Sequence, residues 1–90
     1  MKAAIPTIPV TEVANEGLIS LLEKRITLFC INYIYVGKLI GVSDTYVKLE
    51  DASIVYETGA FTTKDWKDAQ KLPNDVYIMQ GAIESFMILK

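Results

Sequence analysis

The 90-residue chain has no histidine and a single cysteine, Cys30. Histidine and clustered cysteine supply most metal ligands and most proton-transferring or nucleophilic groups at neutral pH. The sequence is therefore expected to hold no metal, need no cofactor and carry no catalytic centre. Cys30 lies in the apolar run ITLFCI and reads as a buried, inert thiol; one cysteine forms no intrachain disulfide, which fits a cytoplasmic setting. Basic charge is also scarce. Nine Lys and Arg face eleven Asp and Glu for a net charge of −2, which speaks against duplex DNA as a partner. No stretch approaches the ~18 apolar residues of a membrane span, and MKAAIPTIPV at the start is broken by Pro6 and Pro9, so neither a transmembrane segment nor a signal peptide is expected. Paired carboxylates are missing too: Glu50 and Asp51 are adjacent and point to opposite faces of a strand, and Glu57 and Glu84 have no identifiable mate.

Apolar residues, by contrast, are abundant: 51% of the chain, with a mean hydropathy of +0.27. Ninety residues make one small domain with a thin core, so part of this apolar surface is expected to be hidden by another subunit. The clearest element is Val36 to Tyr56, VGKLIGVSDTYVKLEDASIVY. Alternating apolar residues flank the polar break Ser43-Asp44-Thr45, which predicts a strand, a tight turn and a strand. Gly37 and Gly41 inside the first strand permit a sharp bend or bulge.

Taken in order, residues 1–10 read as an extended arm set by the two prolines, and residues 11–90 as the domain. VANEGLISLLEKR predicts an amphipathic helix beginning at Thr11 or Asn15, with acidic residues at its start and Lys24 and Arg25 at its end, although Gly17 weakens it. ITLFCI predicts a strand, with a turn at Asn32-Tyr33. Residues 57–75 are irregular, a long loop or insertion between the third and fourth strands with one helical turn expected at KDWKDAQ. VYIMQ and AIESFMIL read as two further strands hinged at Gly81. In an alternative reading Ser53 to Phe61 is itself the fourth strand and the last two are an extension.

A helix followed by about five strands, with GKLIGVSDTYVKLEDA at 37–52 and VYIMQGAIESF at 76–86, resembles the Sm-like superfamily of Sm, LSm and Hfq proteins. The first segment is similar to that family's bent strand with G-x-L-x-G, an Asp-containing turn and a strand ending L-x-D-A. The second is similar to its apolar strand, Arg-Gly and apolar strand, with Gln80 in place of the arginine. Asp44 sits one residue late relative to Gly37. The resemblance implies a small, strongly bent five-stranded antiparallel barrel with an N-terminal α-helix.

It further implies a homo-oligomeric ring of roughly five to seven subunits, built by pairing the fourth strand of one copy with the fifth of the next. Single-stranded RNA, U-rich or A-rich, would bind loops facing the pore, and the ring would act as a chaperone or scaffold. Carried over by residue, Tyr46 is the stacking platform, Asp44 and Thr45 shape the first loop, Lys48 meets phosphate or base, and Gln80 with Gly81 lines the second loop. Tyr77, Met79, Phe86 and Met87 are expected at the subunit interface, because both terminal strands lack the lysines, prolines and inward charges that protect a free edge. Two readings remain open: an RNA-binding ring, or an oligomeric structural or protein-interaction ring without RNA. The excursion with Phe61, Lys64, Trp66, Lys67 and Lys71 is equally double. Aromatics among lysines suit single strands, but Asp65 and Asp68 offset the charge, and Trp66 also suits tucking the loop onto the barrel or a neighbour.

Overall fold

The computed structural model describes residues 17–88. A 3₁₀ turn at Ile19–Leu21 precedes six strands: β1 (Arg25–Cys30), β2 (Ile34–Val42), β3 (Tyr46–Glu57), β4 (Asp68–Lys71), β5 (Val76–Met79) and β6 (Ile83–Ile88), with a second 3₁₀ turn, Gln80–Ala82, between β5 and β6. All ladders are antiparallel, in the order β4-β3-β2-β1-β6, and β5 pairs with β3. The expected mainly β class holds. A closed barrel does not form: among the described residues no ladder joins β5 to β6, so the sheet remains open there.

The expected hairpin is present, with β2 and β3 flanking the turn at 43–45. Its bend has a local cause. The β2–β3 register slips between Val36 and Lys38 and again between Leu39 and Gly41. At the first slip the strands approach closely, and a Cβ on Gly37 would stand 3.1 Å from both Cα and Cβ of Ala52. Any side chain at that crossing would force the two strands apart by a few tenths of an ångström.

Three further expectations fail. No α-helix occurs among the described residues; Leu18–Leu22 makes a single 3₁₀ turn instead. Gly17 at φ +91° and Glu23 at φ +74° lie in the left-handed region, so no right-handed helix can run through either. Residues 11–16 of the expected helix, and the arm at 1–10, lie outside the described residues. The helical turn expected at 64–70 is also absent: Asp68–Lys71 is a strand on the outer flank of β3. That strand is polar and exposed at every position, so it carries no period-2 signal. Finally, Ser53–Glu57 continues β3 and is not a fourth strand.

β4 and β5 share one partner. The ladder from Tyr46↔Met79 to Leu49↔Val76 and the ladder from Ser53↔Lys71 to Val55↔Ala69 differ by a single-residue slip. They are two halves of one return strand, interrupted at residues 72–75 opposite the bend of β3. Asp51 marks that bend at φ +52°. Its carboxylate receives Lys71 at 2.8 Å and Arg25 at 3.3 Å, and the Ala52 carbonyl accepts the Leu72 amide at 2.8 Å.

Two faces of the sheet are covered. Ile26, Leu28, Leu39, Val47, Leu49, Ala52 and Ile78 form the main core, with Leu18 and Leu21 among the partly buried residues packed against it. Each large member contributes about 1.5–3 kcal/mol through burial. Thr27, Val36 and Val55 are buried outside this cluster. Thr27 shares a face with Phe29, two residues on. Phe29 meets Phe61 at 6.2 Å between ring centroids, and Phe61 meets Trp66 at 6.2 Å. The long loop thus folds back over the second face through its own aromatic rings.

Candidate functional site

The turn after β2 is held by Ser43. Its hydroxyl oxygen accepts the amides of Thr45 and Tyr46 at 3.3 and 3.1 Å and lies 3.2 Å from the Tyr46 carbonyl, to which its O–H donates. The Ser43 amide donates to the same carbonyl at 2.8 Å. A short serine side chain satisfies the local backbone here, as such residues do in turns.

The two loops singled out in the sequence meet. The Gln80 amide N–H donates to the Thr45 carbonyl at 2.8 Å, and the Gln80 side-chain Nε2 donates to the Ser43 carbonyl. Gln80 is therefore a clasp between the loops, with its donor side turned inward. Asp44 and Thr45 stand exposed at the tip, and Gly81 faces open space.

Tyr46 and Lys48 alternate with the buried Val47 and Leu49, so both face outward from β3. Across the ladder Tyr46 faces Met79 and Lys48 faces Tyr77. The rings of Tyr46 and Tyr77 pack edge to face at 5.3 Å and 78°, and both remain open to solvent, at 39% and 57%. The Lys48 ammonium sits 5.1 Å from the Tyr77 ring centroid and 3.8 Å from the Asp75 carboxylate. Tyr77 chiefly, then Asp75, raises the Lys48 pKa above its ordinary 10.5. Lys48 is thus charged at neutral pH, in an environment that already offsets its charge. The outward surface is two exposed tyrosines, a methionine and one cation, a set able to stack a planar ring and to meet one anionic group beside it.

The residues expected at an interface divide. Tyr77 and Met79 share the outward face with Tyr46 and Lys48. Phe86 and Met87 lie on β6 but point to opposite faces, Phe86 opposite Leu28 and Met87 opposite Thr27. Both β5 and β6 have one flank without a partner strand among the described residues.

Three features escaped the sequence reading. The grouping of Tyr77 with Tyr46 and Lys48 needs the β3–β5 register. The Arg25–Asp51–Lys71 cluster joins three strands. A cavity bordered by Cys30, Tyr33, Tyr35, Tyr77, Ile78 and Ala82 gathers the ends of β1 and β2 against β5. Burial chiefly, and Glu84 in addition, pushes the Cys30 thiol above its ordinary 9.0, so it stays protonated at neutral pH. The one local hint was the density of tyrosine around the Asn32 turn. Among the described residues no helix is long and apolar enough to cross a membrane. No protein-family model and no curated protein matches the chain.

Proposed function

We propose that this chain is an Sm-like subunit that assembles into a homo-oligomeric ring and binds single-stranded RNA at the joined loops 43–46 and 80–81. The observation that carries the reading is the clasp: Gln80 of the second loop donates to two carbonyls of the first, Ser43 and Thr45, so the two segments act as one surface. Tyr46 offers an exposed ring for a base, Lys48 a cation for a phosphate, and Asp44, Thr45 and Gly81 the surrounding backbone. Counting β4 and β5 as one interrupted strand brings the six strands to the five of the resemblance. The open flanks of β5 and β6 support assembly, since an added strand would satisfy their backbone groups and complete the wall that a single chain leaves open.

Mass in solution by light scattering, combined with anisotropy of labelled oligo(U) and oligo(A) at low and moderate salt, tests the reading. A multiple of the chain mass, with affinity that falls about tenfold in Tyr46→Ala and declines with salt, is expected. A single-chain mass removes the ring. The second reading, an oligomeric protein-interaction ring without RNA, draws on the offset of Lys48 by Asp75 and on the net charge of −2. An assembled protein with no oligonucleotide binding at low salt selects it.

A further inference from the structure

Stacking does not choose a base. Every base has a π-face, so the Tyr46 ring accepts any of them, and selection must come from the polar groups that meet the base edge. At the joined loops most donors are already engaged. The Ser43 amide and hydroxyl donate to the Tyr46 carbonyl, the Thr45 and Tyr46 amides donate to the Ser43 hydroxyl, and the Gln80 amide donates to the Thr45 carbonyl. The Gln80 side chain donates to the Ser43 carbonyl. A carbonyl only accepts, so the carboxamide must turn its nitrogen to Ser43, and Oε1 is the atom it turns away.

What remains for a ligand is mostly acceptors. Gln80 Oε1 takes no hydrogen bond among the described residues. The Asp44 carboxylate, exposed at the tip of the turn, has no hydrogen bond or ion pair among them either, and it can only accept. The two acceptors are neighbours, because Gln80 is anchored on the carbonyl of the peptide bond that leads into Asp44. Tyr46 lies two residues beyond Asp44 and stands opposite Met79, the residue before Gln80. The approach is open, since a Cβ on Gly81 would meet nothing within 4 Å.

We propose that the base held at this site is guanine, read along its Watson–Crick edge by Gln80 Oε1 and the Asp44 carboxylate. This rests on the RNA-binding reading and names the base, and it departs from the uracil or adenine that the resemblance implies. Guanine is the one RNA base with two adjacent donor groups on that edge, N1–H and the N2 amine. Adenine and cytosine each offer one amine beside an acceptor nitrogen, and uracil offers one N–H between two carbonyls. Each of these would set an acceptor against Asp44 or Gln80, leaving polar groups unpaired where water has been displaced. The arginine of the resemblance carries donors only; Gln80, with its nitrogen engaged, presents an oxygen in that place.

Anisotropy of labelled oligo(U) carrying one central guanine, adenine or hypoxanthine in turn, titrated with the full chain at one fixed salt concentration, tests this. Hypoxanthine is guanine without the N2 amine. The guanine strand is expected to bind about tenfold tighter than plain oligo(U) or the adenine strand, with the hypoxanthine strand between them. Asp44→Asn keeps the size of the side chain and adds a donor, and it is expected to bring the guanine-to-uracil ratio to within about twofold of unity. The ratio is the readout because removing a negative charge strengthens binding to any RNA. Circular dichroism checks folding, and should Asp44→Asn unfold, the hypoxanthine comparison in the wild-type chain carries the test alone. A wild-type chain that binds none of the strands at low salt overturns this inference and the RNA reading together. Binding that ignores guanine or favours uracil or adenine, a hypoxanthine strand as tight as the guanine one, or a ratio that a folded Asp44→Asn leaves unchanged overturns the guanine assignment and leaves the RNA reading standing.

Discussion

Gly37→Ala probes the bend that gives the sheet its shape. The new methyl would stand 3.1 Å from Ala52 Cα, 3.1 Å from Ala52 Cβ and 3.2 Å from the Glu50 carbonyl oxygen. Carbon atoms prefer about 3.5–4.0 Å, so β2 and β3 must separate by several tenths of an ångström. They are not free to do so, because Leu39 and Leu49 pair beside the crossing and are both fully buried. Overpacking of this kind costs about 1–3 kcal/mol, while replacing glycine by alanine returns about 0.4–1 kcal/mol by restricting the unfolded chain. A net loss of about 1–2 kcal/mol is expected. With a urea dependence of roughly 1 kcal/mol per M for a domain this small, the midpoint should fall by about 1–2 M. Trp66 fluorescence at one fixed protein concentration reads it, since any assembly makes stability depend on concentration. Adding Ala52→Gly to Gly37→Ala removes one of the three contacts and leaves the Cα and carbonyl contacts in place, so rescue should be partial. A Gly37→Ala protein as stable as its parent would refute the close crossing, and complete rescue by Ala52→Gly would show that the backbone contacts are not limiting.

Four further outcomes are expected. Lys71, and then Arg25, lower the Asp51 pKa below its ordinary 3.8, so the carboxylate stabilises the fold above that value and stops doing so as pH falls through the lowered one. Asp51→Asn tolerates the left-handed backbone and should melt below wild type at about pH 7 but with it near pH 2, read by thermal scans; a gap that persists in acid contradicts the assignment. Gln80→Ala should cost about 0.5–1.5 kcal/mol and speed amide exchange at Thr45 and Tyr46, and Gln80→Glu, which sets a carboxylate against the Ser43 carbonyl, should cost more. Thr27 Oγ1 is buried with no hydrogen-bond partner among the described residues, so Thr27→Val should stabilise by about 1 kcal/mol in urea titration, and a loss would reveal a partner for the hydroxyl. Phe61→Ala should detach the loop from Phe29, shift Trp66 emission to longer wavelength and destabilise by about 1–3 kcal/mol, and an unchanged spectrum would contradict the aromatic contact.

Much of the β architecture was legible because its signal is local. Val36 to Tyr56 alternates around a three-residue polar turn, and ITLFCI is dense in branched and aromatic residues; both become strands where expected. The helix was misread because an apolar stripe outweighed Gly17, whose left-handed backbone breaks any helix through it. β4 was unreadable: DAQK is exposed on every side, and its only reason to be extended is the flank of β3 that it satisfies.

The candidate site divides in the same way. Residue chemistry and alternation placed Tyr46 and Lys48 outward on a strand after the turn, and those are properties of neighbours in the chain. That Gln80 spends its donors on Ser43 and Thr45, that Tyr77 stands against Tyr46, and that Cys30, Tyr35 and Ile78 border one cavity are decided by register between distant strands. A register slip of one residue would turn every one of those side chains to the other face, and only the packed core selects among the slips.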